Sequence, residues 1–133
     1  VYRDSCVEAF LKHAEREEYL NFEFSASGKI LAAKGRSREQ RTFFDPDLID
    51  TIPRKIEILE NTNRQSRYAL SAELDLKAFG LVEEGEEVKL LGNFTACGDG
   101  HKVPYYLAAN PIGTVKPDFH APNFFAPLII TGR

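Results

Sequence analysis

The sequence predicts an all-β protein built as an antiparallel β-sandwich, and three observations predict it. Several short segments alternate apolar and polar side chains with a period of two, as strands with one buried face do. Turn-forming residues separate these segments at short intervals. No segment carries a convincing amphipathic helical pattern of useful length. Together these features favour a jelly-roll or immunoglobulin-like sandwich.

The predicted elements follow one another along most of the chain. The first strand covers 2–11 and forms a hairpin with the second at 19–25, across a charged turn at 15–18. Further strands are predicted at 29–33, 55–60, 68–74, 88–97, 105–108 and 128–130. A long polar loop at 35–47, a helical turn at 75–80, an acidic loop at 83–87 and a proline-rich coil at 110–123 connect them. In the strand at 55–60, Ile56 and Ile58 are expected to face inward.

The first strand has two different faces. Val7, Ala9 and Leu11 fall on the side that can pack into a core, because side chains alternate along a strand. The opposite face, continued on the neighbouring strands, would carry Cys6, Glu8, Phe10, Asn21, Glu23, Asn93, Thr95 and Cys97. A solvated sheet face is the simpler interpretation of this surface. The alternative is a hydrogen-bonding surface suited to hydroxyl groups.

Length and composition limit the classes of function. The chain has 133 residues, which suits one domain over 1–133. A net charge of −3 and a pI near 5.6 do not indicate the positively charged surface that binds nucleic acid. The longest apolar run is far too short to cross a bilayer, and the sequence shows no signal peptide. The chain starts with Val1 inside a strand pattern, which would leave one edge of the sheet unpaired. We therefore expect further strands from an upstream part of the parent protein, from a partner subunit of a homo-oligomer or from a swapped segment.

Motifs for catalysis and metal binding are scarce. The sequence has no phosphate loop, nucleophile elbow or metalloprotease helix. Cys6 could imitate a thiol–imidazole pair with His101 or His120, but the spacing is not diagnostic. Asp99, His101, Asp118 and His120 could hold zinc or calcium, although solvated turns are the simpler interpretation. We predict no cofactor, with calcium as an unspecific alternative.

The two cysteines are better considered together. Cys6 and Cys97 lie on the polar faces of their strands, so they would be neighbours if these strands share a sheet. A disulfide or a close thiol contact would follow. The alternative is two ordinary small side chains.

Five sequence blocks carry a family resemblance. The blocks at 4–8, 21–24, 97–99, 110–112 and 116–120 occur in order and cover most of the chain. With them the chain resembles the family 9-like carbohydrate-binding modules common in gut Bacteroidetes, which belong to the DOMON-like β-sandwiches. The resemblance implies a non-catalytic sugar-binding sandwich that forms part of a secreted, periplasmic or cell-surface glycan-using protein. It also implies that the family's first strands are absent here.

The resemblance also implies a binding site. Family 9 modules clamp a sugar between two tryptophans, whereas this chain has none and carries Ala109 where relatives tend to have Trp. Tyr2 or Tyr105 is expected to stack on the sugar ring instead. Glu8 is the foremost hydroxyl acceptor, followed by Arg3 and Asn110. The predicted ligand-binding set is Tyr2, Arg3, Glu8, Asn21, Glu23, Tyr105, Asn110, Asp118 and His120.

Two other functions stay open from the sequence. The first is a degenerate sandwich that acts as a structural or oligomerisation module. The second is a glycoside hydrolase in which Glu8 and either Glu23 or Asp99 form the carboxylate pair. The hydrolase ranks last, because two acids on an open sheet lack the enclosure that a raised pKa requires.

Overall fold

The computed structural model describes residues 5–98 and 101–130, and the protein is all-β and antiparallel, as predicted. The elements are β1 (Cys6–His13), β2 (Tyr19–Ser25), β3 (Ile30–Gly35), β4 (Arg41–Phe43), α1 (Pro46–Asp50), β5 (Arg54–Asn61), β6 (Ser66–Ala72), β7 (Leu90–Cys97), β8 (Tyr106–Ala108) and β9 (Ala126–Leu128). A single 3₁₀ turn, Pro122–Phe124, precedes β9 in the part of the chain that the structure describes.

Seven strands form the main sheet, with β1 inside it. The order is β4-β3-β2-β1-β7-β8, and β9 pairs with the other end of β7. The predicted hairpin of the first two strands is confirmed, with Val7 opposite Phe24. On its other edge β1 pairs with β7, where Cys6 lies opposite Cys97. The remaining strands, β5 and β6, form a separate two-stranded sheet.

One face of the main sheet carries the apolar core. Its centre consists of buried side chains from β1 and β2, including Ala9, Leu20 and Phe22. The layer above them is formed by α1, the turn at 76–82 and the β5–β6 pair. Phe79 of that turn packs edge-on against Phe22, with ring centroids 5.1 Å apart. Burial of each large side chain contributes about 1.5–3 kcal/mol, so this face holds the sandwich-like arrangement together.

The predicted loop at 35–47 contains regular structure, so that prediction is wrong. It includes β4 and leads into α1, whose first turn is capped by the Asp45 side chain accepting from the Asp47 amide at 2.8 Å. The antiparallel pairing of β4 with β3 depends on Gly35, because a Cβ at this position would lie 2.1 Å from the Gln40 carbonyl oxygen. A strand of three residues is too short to show alternation.

Two predicted details of the later strands are also wrong. Ile58 is 64% exposed, because the β5–β6 pair packs on the core at Leu70, opposite Ile56, and Ile58 lies two residues further along, opposite Tyr68. The last strand is Ala126–Leu128 rather than 128–130, and it ends where Leu128 meets the first residue of β7, Leu90. Ile129 and Ile130 beyond it are exposed. Among the described residues, no helix is long and apolar enough to cross a membrane.

Candidate functional site

The polar face of the main sheet is buried rather than solvated, so the simpler interpretation of this face is wrong. Five polar side chains lie along it, and we call them the polar row: Glu8, Asn21, Glu23, Asn93 and Thr95. Glu8 is 7% exposed and Glu23 is 5% exposed. Burial of polar groups costs free energy unless they are hydrogen-bonded or serve another purpose. This row is therefore the first place to look for function.

Strand register brings the two carboxyl groups together. Glu8 on β1 lies directly opposite Glu23 on β2 and opposite Thr95 on β7. Directly paired residues point to the same face of a sheet. The Thr95 hydroxyl donates to Glu8 Oε2 at 3.4 Å.

Burial controls the charge of this pair. Loss of solvent raises the pKa of Glu8 to about 8, and repulsion from Glu23 adds to the rise, while Arg38, the Thr95 hydrogen bond and Arg41 oppose it. Burial also raises the pKa of Glu23, against the attraction of Arg41. Glu8 therefore holds its proton at neutral pH and can both donate and accept a hydrogen bond.

Arg41 of β4 reaches over the row from the sheet edge. Its Nη1 lies 3.8 Å from Glu23 Oε1 and donates to Asn21 Oδ1 at 3.4 Å. Its guanidinium also lies over the Phe43 ring, 4.9 Å from the centroid, and Phe43 is 51% exposed. The Nδ2 of Asn21 is buried without a hydrogen-bond partner. The row thus contains a buried donor that has no acceptor within the described part of the chain.

The coil at 110–125 covers one side of the row through His120. The Tyr19 hydroxyl and His120 Nδ1 are 2.7 Å apart. Burial first, and then Arg38 and Arg41, lower the pKa of His120 to about 4. Burial raises the pKa of Tyr19 to about 12. A neutral phenol and a neutral imidazole therefore share this hydrogen bond.

An exposed ion pair lies beside this cover. Arg38 Nη2 donates to Asp118 Oδ1 at 3.4 Å, and both side chains are about half exposed. The same carboxylate accepts from the His120 amide at 3.0 Å. Phe10 fixes the coil from below, with the edge of its ring against His120 at 5.2 Å and with Phe125 at 5.8 Å.

The structure brings only some of the predicted site residues together. Those at or beside the polar row are Glu8, Asn21, Glu23, Asp118 and His120. Tyr105 packs instead against His101, with ring centroids 5.5 Å apart. Tyr2, Arg3 and Asp99 lie outside the described residues.

Asn110 takes part in a clamp that holds the coil to β7. Its backbone amide donates to Asn93 Oδ1 at 2.9 Å, and its carbonyl accepts from Asn93 Nδ2 at 3.1 Å. Its side-chain amide donates to the Gly92 carbonyl at 3.3 Å. These bonds are structural, because each joins the coil to the sheet.

The two cysteines lie directly opposite each other at the end of the row. Cys6 and Cys97 are buried as thiols, and their sulfurs and a Glu8 carboxylate oxygen all lie within 4.8 Å of one another. Burial raises the pKa of Cys6, and Glu8, Cys97 and Glu23 raise it further. A buried neutral thiol is a weak nucleophile. The two imidazoles considered as its partners contact hydroxyl groups: His101 Nε2 lies 3.2 Å from Ser5 Oγ, and His120 contacts Tyr19.

Sequence reasoning placed Arg38, Arg41 and Phe43 in a solvated loop, where the arginines gave only a hint of an acidic sugar. In β4 the spacing of Arg41 and Phe43 puts both on one face, but a strand of three residues is too short for the sequence to show this. Phe43 pairs with Ala33, which pairs with Asn21, so all three lie in one line across the sheet.

A groove of about 580 Å³ is lined mainly by residues outside the polar row, although Glu8 and Thr95 also border it. Its lining is mostly apolar and includes Phe24, Leu70, Phe94 and Leu107. Phe94 alternates with Asn93 and Thr95 along β7, so it belongs to the opposite face of the sheet.

Comparisons with known proteins find one family and one similar fold. The family model for carbohydrate-binding family 9 matches residues 1–130. The fold also matches the crystal structure of a Bacteroides uniformis protein of inferred carbohydrate-binding function, with a TM-score of 0.79 and 29% sequence identity. The match covers 96% of this chain and 61% of that protein, so this chain spans about three fifths of its length. No curated protein matches the chain.

Proposed function

We propose that this chain, which belongs to carbohydrate-binding family 9, is a non-catalytic module that binds a glycan at the polar row. The observation that carries the proposal is the buried Asn21 Nδ2, a donor that lies beside two carboxyl groups and has no acceptor among the residues that the structure describes. An unpaired buried donor costs about 1–3 kcal/mol, which a ligand oxygen would recover. The setting that fits this role is a longer secreted or cell-surface protein of a glycan-using bacterium.

The ligand would approach past the exposed residues that border the row. Arg38, Asp118 and Phe43 are each about half exposed, and Arg41 connects them to the buried Asn21 and Glu23. Phe43 offers an aromatic face on which a sugar ring can pack, while guanidinium and carboxyl groups bind hydroxyls. This arrangement replaces the tryptophan clamp with one aromatic ring and several charged hydrogen-bonding groups.

A neutral sugar fits this surface better than an acidic one. Three arginines at 36, 38 and 41 would favour a uronic acid if their charges were unopposed. However, Arg38 pairs with Asp118, Arg41 faces Glu23, and Arg36 pairs with Glu17 at 2.9 Å. Each cation is thus compensated by a carboxylate, so the surface presents hydrogen-bonding groups with little net positive charge.

The placement of the carboxyl groups supports binding rather than hydrolysis. A glycoside hydrolase needs two carboxyl groups that flank the scissile bond, with room for the sugar between them. Glu8 and Glu23 instead face each other on adjacent strands, and both are buried. Their side-by-side position suits orientation of Arg41 and acceptance of hydroxyl hydrogens.

The test is a glycan array followed by calorimetry on the intact protein in buffer with a chelator. We expect at least one neutral oligosaccharide to bind, and we expect Arg41→Gln and Glu23→Gln to weaken binding about 10-fold or more, as loss of a charged hydrogen bond does. Glu57→Gln, on the separate β5–β6 sheet, is the matched control and should bind normally. No binding of any saccharide at millimolar concentration, or equal weakening in the control, would overturn the proposal.

A further inference from the structure

The thiol end of the polar row has the composition of a metal site. Cys6 and Cys97 face each other across β1 and β7, and Glu8 lies two residues along β1 on the same face. All three are buried, and the two sulfurs and a carboxylate oxygen lie within 4.8 Å of one another. The pairing of β1 with β7 therefore brings two sulfurs and a carboxylate oxygen close enough to share one metal ion.

We propose that Cys6, Cys97 and Glu8 bind a thiophilic divalent cation of the zinc class. Two thiolates and a carboxylate are ligands that Zn²⁺ accepts in tetrahedral sites, with Zn–S near 2.3 Å and Zn–O near 2.0–2.2 Å. Tetrahedral angles at these bond lengths put the two sulfurs about 3.8 Å apart, which the 4.8 Å limit accommodates. The fourth position is open to water.

The surroundings of Glu8 fit this role. The Thr95 hydroxyl donates to Glu8 Oε2 at 3.4 Å, which orients the carboxylate and leaves its other oxygen for the metal. Hydrogen bonds of this kind fix metal-ligating carboxylates in known sites. Thr95 would therefore act as a positioning residue.

Zn²⁺ is bound by thiolates, so Cys6 and Cys97 would each release a proton to solvent when the cation binds.

The site shares Glu8 with the proposed glycan surface but rests on separate geometry, so it is tested without sugar. The intact protein is reduced with a phosphine, freed of metal and titrated with Co²⁺ alone. We expect one Co²⁺ per chain, with the near-ultraviolet absorption of thiolate-to-cobalt charge transfer, and its displacement by Zn²⁺. No charge-transfer band in the reduced wild-type protein at saturating Co²⁺ would overturn the proposal, whatever the variants do.

Variants assign the ligands. Cys6→Ser and Cys97→Ser should each abolish the band, and Glu8→Gln should weaken binding about 10- to 100-fold, the range that loss of a supporting group already reaches in known sites. Glu57→Gln should bind Co²⁺ normally. Circular dichroism shows whether each variant folds. A folded Cys97→Ser protein that keeps the wild-type band would contradict the assignment, as would a folded Glu8→Gln protein with unchanged affinity.

Discussion

Acid should destabilise the coil at 110–125, which covers one side of the polar row, because it protonates the imidazole of His120. The pKa of His120 falls from 6.5 to about 4, first because of burial and then because Arg38 and Arg41 face the ring, while Asp118 and Glu39 oppose the change. Tyr19 also faces it, and its hydroxyl is hydrogen-bonded with Nδ1. The folded state therefore resists protonation that the unfolded chain accepts. Between pH 6.5 and pH 4 the unfolded chain binds more protons, so the free energy of unfolding falls as the pH falls.

The size of this effect follows from the pKa. A fall from 6.5 to about 4 corresponds to at most about 3.5 kcal/mol, at about 1.4 kcal/mol for each pKa unit. His120 is only partly buried, so solvent screening reduces the expected loss to about 1–2 kcal/mol. Above pH 6.5 the contribution of neutral His120 to the free energy of unfolding is fully present, and below pH 4 this contribution is fully lost.

Urea denaturation at several pH values, together with an NMR titration of the imidazole, measures the effect. His120→Gln keeps an acceptor for Tyr19 but cannot titrate, so its free energy of unfolding should fall less than that of the wild type between pH 6.5 and pH 4. Tyr19→Phe removes the hydrogen bond to the neutral ring and should raise the pKa of His120. A measured pKa near 6.5, or equal pH dependence of stability in wild type and His120→Gln, would refute the reasoning.

Three further predictions concern stability. Phe10→Ala should lower the free energy of unfolding, measured in urea, by about 3–5 kcal/mol, because the buried Phe10 ring holds the coil. Phe94 is exposed, so Phe94→Ala should cost less than about 1 kcal/mol. Similar costs for the two variants would contradict this packing. Gly35→Ala should displace β4 and cost about 1–3 kcal/mol; a wild-type melting temperature would contradict the close approach of Gln40. Asn93→Ala leaves the Asn110 amide and carbonyl without their partner and should cost about 2–4 kcal/mol; free amide exchange at Asn110 in the wild type would contradict the clamp.

The all-β class and the first hairpin were predictable because β1 and β2 alternate cleanly over seven or eight residues. The same alternation placed Glu8, Asn21 and Glu23 on one face, since directly paired residues share a face. These features depend on local sequence and on strands that follow each other in the chain, so the alternation of side chains is enough to predict them.

The rest of the site depends on contacts between distant parts of the chain. Whether the polar face was open or buried depended on the coil at 110–125, whose rings pack on Phe10 across more than a hundred residues of sequence. The pairing of β1 with β7 could not be read from spacing, although it decides that Cys6 meets Cys97. β4 was missed because its three residues show no period, so Arg41 and Phe43 were assigned to solvent.

The most direct test of the central claim is an NMR titration of the ¹⁵N-labelled protein with the best glycan from the array. The proposal requires the ligand to accept a hydrogen bond from Asn21 Nδ2, which is buried and has no partner among residues 5–98 and 101–130. We predict that the side-chain amide signals of Asn21 shift downfield, together with the Arg41 side chain and the backbone of β4. Shifts confined to Phe24, Leu70, Phe94 and Leu107 of the apolar groove, with Asn21 unchanged, would contradict glycan binding at the polar row.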